Sequence, residues 1–424
     1  MSALNKDLVL FIDSCFEEEL YQSGLEILDV VLIPKNNGDL SSIPFLPKRH
    51  LYSLLNLIIQ KDHANYISQK AAQLLYRIIY SKRLCKNELN NQWCWLFSYN
   101  KCTKRSKELV DSANIDHLNA YDNLQLNFTD SIFSKFSNIW KLIQYCFEEL
   151  SPHLYILLDC IITILEIDFQ EHSKAPVKEL EKTLLLNSFK NNDREKLDIK
   201  QILAVIFTNI DSEEYEYSLS SDTKELSDKK KNVITSLESM MLRKRFLHLI
   251  YDTVCALPIY FNKFSFENEL SIYFKNLEIN KFILYFSNAI PSTLKINLCH
   301  LLLVKYSVHS KLSKPFSELS IDLLKLWPTI VPQAKLKLSE KAKYSFLLQT
   351  LLKHIHNDIT LEEITQEEKH AIFAARTNRI LRFNDEIKKI KEKNKISQND
   401  LCIQNIFEHS EFIINLILEP ILKS

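Results

Sequence analysis

The chain has 424 residues, 46% of them hydrophobic, with 53 Lys+Arg balanced by 53 Asp+Glu. Such a length can form two or three ordinary domains or one elongated array, and zero net charge gives no global attraction to nucleic acid or to an anionic membrane. Only two glycines occur, Gly24 and Gly38, where average usage is about 7%; this largely excludes the phosphate-cradling loops, dinucleotide fingerprints, nucleophile elbows and tight hairpins that glycine builds.

Apolar residues recur with a helical period almost throughout. The predicted elements begin with a helix pair near 5–20 and 22–32, then a Pro-bearing loop from Pro34 to Pro47. Helices follow at 49–60, 64–81 and 87–99, the first carrying Leu51, Leu54, Leu55 and Ile58 on one face. A polar stretch, 100–130, reads as a partly ordered linker. Helices at 131–149, 152–166, 174–190 and 197–209 form the middle block, 131–210, in which Leu154, Leu157, Leu158, Ile161, Ile162 and Leu165 make a continuous apolar stripe.

The acidic and polar segment 211–231 reads as a solvated loop with serines beside acids, a linker or a modification segment. The C-terminal block, 232–424, carries predicted helices near 232–261, 266–276, 278–288, 291–306, 316–326, 339–356, 361–394 and 398–422. With the N-terminal segment 1–99, these blocks make up the expected domain organisation.

Several helix starts have local chemistry behind them. Ser151 precedes Pro152, Pro291 can open a helix in the same way, and Ser173 can cap a helix carrying Pro176. Thr360-Leu-Glu-Glu363 has the form of a capping box. Helices of this length in antiparallel succession predict an all-α fold, a degenerate HEAT-like α-solenoid with no clean repeat period.

No run of apolar residues approaches the roughly 18 needed to span a bilayer; the longest candidate, Leu154–Ile167, is interrupted by Asp159, Thr163 and Glu166. The opening twenty residues lack a basic start, an apolar stretch and a small-residue cleavage site. The nine cysteines contain no CxxC pair, so a reducing compartment, cytoplasm or nucleus, is expected.

Candidate chemistry is sparse. His354, His356 and Asp358 alternate around a helix, so they do not converge on one metal. Trp93-Cys94-Trp95, with Cys85 and Cys102, lacks the paired spacing of a zinc site and reads as a buried aromatic helix. No family signature surrounds any Ser or Cys. These absences predict a non-enzyme without cofactor or metal. The one basic stretch, Arg376 to Lys395, interleaves Ile380, Leu381, Phe383, Ile387 and Ile390. It reads as an amphipathic helix with a Lys-rich wet face, the alternative being a track for a phosphate backbone.

Three segments together carry a resemblance. Leu165-Glu166-Ile167-Asp168-Phe169 with Lys174 is similar to a turn between two amphipathic helices. Leu277-Glu278-Ile279, followed by Ile290-Pro291, resembles a longer pattern ending in Ile-Pro. Leu326-Trp327-Pro328-Thr329-Ile330 resembles a Trp-Pro-Arg-Ile motif, with Thr329 in place of Arg. In order and over roughly 150–330, they resemble the second Tel-two-interacting protein family, the small subunit of the Triple-T cochaperone. Glu278 stands where that family has glycine.

The resemblance implies a non-catalytic HEAT-like subunit that binds the larger Tel-two-interacting subunit and the Tel-two protein. Through them it would serve the ninety-kilodalton heat-shock chaperone in maturing phosphatidylinositol 3-kinase-related kinases, in cytoplasm and nucleus. It also implies that Asp168 caps or orients the following helix, that Lys174 pairs with Asp168, and that Trp327 anchors the final helices or a partner. Phe169, Pro291 and Pro328 complete the implied interface or structural set. A helical accessory subunit of an SMC-type genome-maintenance complex, touching nucleic acid through the basic stretch, is the alternative.

Overall fold

The computed structural model describes residues 4–33, 44, 46–59, 65–82, 93–94, 96–97, 136, 138–149, 151–173, 180–190, 199–208, 226–307, 332–333, 335–355, 365–393 and 396–423. Among them the fold is all-α: no strand forms, and Ser307 and Pro332 pair in an isolated antiparallel bridge. The chain divides into two compact units, residues 1–260 and 261–424.

The first unit contains α1 (Lys6–Glu17), α2 (Tyr21–Val31), α3 (Lys48–Ile59), α4 (Asn65–Lys82), α5 (Ile139–Glu149), α6 (Pro152–Ser173), α7 (Leu184–Lys190), α8 (Ile199–Ile206) and α9 (Leu226–Ala256). Its centre is α6, against which α3, α4, α5, α7 and α9 all pack. Leu154, Leu157, Leu158, Ile161, Ile162, Ile164 and Leu165 are buried on one broad face, with the polar Asp159, Thr163 and Glu166 on the other side of the helix. The Leu51, Leu54, Leu55 and Ile58 stripe of α3 is buried with them.

The second unit contains α10 (Lys263–Asn276), α11 (Ile279–Asn288), α12 (Ser292–Tyr306), α13 (Leu338–Ile355), α14 (Gln366–Lys391) and α15 (Gln398–Lys423). Helix α13 packs on α11, α12 and α15, while α14 lies against α15. One core cluster joins Ile279, Ala342, Ile387, Ile390, Ile403, Ile406 and Phe407, and Phe274, Phe282, Phe286 and Phe346 interlock edge-to-face nearby.

Helix starts follow local chemistry, with corrections. Pro152 opens α6, and the Ser151 hydroxyl accepts from the Leu154 N–H at 3.4 Å. Pro291 is instead the N-cap of α12, in extended backbone at φ −60° and ψ 146°, and Ser292 is the first helical residue. The predicted turn at Leu165–Phe169 does not exist, because α6 continues through it to Ser173. Ser173 is therefore the last residue of α6, its hydroxyl donating to the Gln170 carbonyl, and not the N-cap of a following helix.

The predicted loop 211–231 is also too long, since α9 begins at Leu226. That helix belongs to the first unit, so the C-terminal compact unit starts at Phe261 and not at 232. The capping box of α14 lies at Thr365 and Glu368, which share the same T-x-x-E spacing as the predicted box; Thr360 lies outside the described residues.

Helix α1 shows what scarce glycine costs. It ends in a Schellman arrangement: the Leu20 N–H donates to the Cys15 carbonyl at 2.8 Å and the Glu19 N–H to the Phe16 carbonyl at 3.4 Å. The residue at the turn, Glu19, has φ 58°, a left-handed conformation that glycine adopts without steric cost. Gly24 sits instead inside α2, where an added Cβ would lie 3.1 Å from Phe16 Cε1, so it serves the close crossing of α1 and α2. Glu19→Gly is expected to stabilise the protein by about 1 kcal/mol by relieving this strain. A urea denaturation midpoint that stays put or falls would contradict that.

Candidate functional site

The residues singled out by sequence scatter. Asp168 is fully buried on α6. Its Oδ2 accepts from the Leu184 N–H at 2.6 Å, the first residue of α7, sixteen positions downstream. The same helix start receives the Thr183 hydroxyl, which accepts from the Leu186 N–H at 3.4 Å. An anionic carboxylate at a helix N-terminus satisfies an orphan donor and meets the positive end of the helix dipole. His172, also buried, points Nδ1 at the Asp168 carbonyl at 2.7 Å and lies 3.6 Å from its Oδ1.

Phe169 is half-buried on the same helix. Lys174, Trp327 and Pro328 lie outside the described residues, and Pro291 belongs to the other compact unit. Glu278, at the position of a family glycine, adopts φ −61° and ψ 154°, extended backbone open to any residue.

A polar cluster that sequence reasoning did not assemble lies along α6. Asp159, Thr163 and Glu166 recur at i, i+4 and i+7, one stripe on an otherwise apolar helix. All three meet Arg245 of α9. Its Nε and Nη2 bind the two Glu166 oxygens at 3.0 and 2.6 Å, Nη2 reaches Thr163 Oγ1 at 3.0 Å, and Nη1 binds Asp159. Tyr76 of α4 donates its hydroxyl to the other Asp159 oxygen. Three helices thus meet at the Asp159 carboxylate, and the Arg245–Glu166 pair has the bidentate geometry that makes Arg–carboxylate pairs strong. The signal was visible as three polar interruptions in the longest apolar run, since polar groups on a buried helix require partners.

Other long polar side chains close helix ends. Arg243 is fully buried, its Nη2 3.1 Å from the Thr208 carbonyl and its Nη1 on the Ile206 carbonyl at the end of α8, with its guanidinium 4.5 Å over the Phe147 ring. Lys343 of α13 donates to the Lys275 carbonyl at 2.9 Å and to the Leu277 carbonyl at the end of α10. Lys295 donates to the Ser287 carbonyl at 2.9 Å, and Gln333 to the Ser307 carbonyl at 3.0 Å.

Burial pushes the Cys160 thiol up to about 12 and raises those of Cys146 and Cys299 as well, which keeps thiolates scarce. An open groove of about 230 Å³ between α12 and α13 is lined by Ser292, Lys295, Cys299, Thr350, Lys353 and His354. That is below the roughly 300–1,000 Å³ of small-molecule sites. Among the described residues no group of His, Cys, Asp and Glu is placed to hold a metal, and no helix is long and apolar enough to cross a membrane. Trp93 is fully buried, and His354 is exposed on α13.

The basic stretch 376–395 turns Ile387 and Ile390 into the core. Several of its cations have partners: Lys389 contacts Glu386, Lys393 contacts Asp400, and Arg376 Nε donates to the Asn415 side-chain oxygen Oδ1 at 2.7 Å. Asp400, held at about 2 by the Lys393 and Ser397 hydrogen bonds, forms a reciprocal cap with Ser397 at the start of α15.

Comparison of the chain with protein-family models, with curated proteins and with solved structures gives no match in any of the three.

Lys343 yields a pH test. Burial lowers its ammonium to about 8, whereas an unfolded Lys titrates near 10.4. Between those values the unfolded chain carries a proton that the folded chain has released, so this group makes stability rise with pH across that window. In Lys343→Met the rise in unfolding free energy between pH 8 and 10 is expected to shrink. An unchanged slope in the variant would show that Lys343 is not its source.

Proposed function

We propose that this protein is a non-catalytic helical scaffold, a HEAT-like α-solenoid subunit of a cochaperone complex of the Triple-T kind. In this reading it joins a larger HEAT-repeat Tel-two-interacting subunit and the Tel-two protein. The assembly supports the folding and stability of phosphatidylinositol 3-kinase-related kinases, the TOR and DNA-damage checkpoint kinases, in cytoplasm and nucleus.

The observation that carries the scaffold part is how interior polar groups are used. Arg245, Asp168, Arg243 and Lys343 all engage neighbouring helices or helix ends, which is what a rigid binding platform requires. Sequential helices pair, α1 with α2, α3 with α4, α5 with α6, α10 with α11 and α14 with α15, which supports a repeat-like succession. The cochaperone part rests on the resemblance at Leu165–Phe169, Leu277–Pro291 and Leu326–Ile330. The genome-maintenance alternative loses support from the paired cations of 376–395.

A tagged pull-down from the native cell at moderate salt, read by mass spectrometry, separates the two. Near one-to-one recovery of the two large Tel-two-complex proteins, with chaperone and kinase traces, is expected. Recovery of SMC or chromatin components in their place would overturn the cochaperone reading.

A further inference from the structure

We infer that the outer face of the α1–α2 hairpin is a docking surface for a basic amphipathic helix of a partner protein. The inference rests on the scaffold reading and names the chemistry of one partner contact.

The hairpin buries one side only. Ile12 and Cys15 of α1 and Gly24, Leu25 and Leu28 of α2 turn inward. On the opposite side of α1, Leu10 and Phe11 are exposed, Phe11 at 58%. Val30 of α2 and Ile33, just past its end, are exposed, Val30 at 69%. Along α1, Asp7, Leu10, Phe11, Ser14, Glu17 and Glu18 fall three or four residues apart and share this outer face. Exposed large apolar side chains rimmed by charge mark an interaction site.

The rim is predominantly acidic. Residues 4–33 contain a single cation, Lys6, and seven carboxylates. Two of these are used internally: Asp13 binds Arg49 and His50 of α3, and Asp29 binds Lys70 and Arg77 of α4, whose hydrogen bonds, Lys70 foremost, lower its pKa. Asp7, Glu17, Glu18, Glu19 and Glu26 remain exposed around the apolar positions.

Charge complementarity selects the occupant. Nucleic acid and anionic lipid are repelled by such a rim. An apolar centre demands apolar side chains from the occupant, and the hairpin offers no strand edge to extend. What remains is a helix laying an apolar stripe flanked by Lys or Arg across the hairpin, the helix-on-helix mode of peptide recognition.

The test uses the full chain and a fluorescein-labelled 18-residue helical peptide of Leu and Lys, patterned as one apolar stripe, against the same peptide with Glu for Lys. Fluorescence anisotropy is expected to show binding of the Lys peptide alone, weakening as salt rises. The double variant Leu10→Ser/Phe11→Ser, and separately Glu17→Lys/Glu18→Lys, should each weaken it tenfold or more with unchanged circular dichroism. Equal binding of the two peptides, binding to both variants at wild-type strength, or no binding of the Lys peptide would overturn the docking face. None of those results touches recovery of the Tel-two proteins, so this surface and the scaffold reading fail independently.

Discussion

Helix α6 buries a broad apolar face along its length, and five other helices pack on it. The polar groups it carries, Asp159, Thr163 and Glu166, lie on one stripe, and Arg245 and Tyr76 collect them. That contact fixes which helix lies where, because a carboxylate pair half-removed from water tolerates little but a guanidinium in that position. The apolar contacts supply most of the burial energy at roughly 25 cal/mol per Å², but they are non-directional. Direction comes from the Arg245 fork, and with it the rotational setting of α9 and α4 about α6.

The near absence of glycine shapes the rest. Helices commonly end on a left-handed glycine that frees their last carbonyls to be satisfied locally. Here α1 forces Glu19 into that conformation, and other ends are closed from a distance by long cations: Arg243 at α8, Lys343 at α10 and Lys295 at α11. Buried cations at the negative ends of helix dipoles serve a second purpose, since the dipole offsets part of their desolvation. The depressed Lys343 titration is the residue of that balance. Each of these three helix ends is thereby coupled to a neighbouring helix.

The sequence was legible where local chemistry decided the outcome. Periodicity predicts the helices and the buried stripe of α3, and Ser151-Pro152 marks the start of α6. It was illegible where tertiary contacts decided. Glu166 and Asp168 look like turn residues beside an apolar run, yet α6 carries them onward because Arg245 and the Leu184 N–H satisfy them. The polar start of α9 lacks an apolar stripe, so its helix at Leu226 had no periodic signal. Thr365 has the same T-x-x-E spacing as Thr360 and caps α14, and Ser397-x-x-Asp400 caps α15 through local spacing alone. The Arg245 cluster was half-legible: its acceptors shared a stripe, but the donor lies 79 residues or more away along the chain.

Hydrogen–deuterium exchange of wild type and Arg245→Met tests the central claim most directly. The account predicts that amides of 154–167 exchange slowest in residues 1–260. It further predicts that the substitution accelerates exchange in α4, α6 and α9 together by about thirtyfold, the equivalent of about 2 kcal/mol. Acceleration confined to α9, or none at all, would show that apolar packing alone sets these helices and that the guanidinium is incidental.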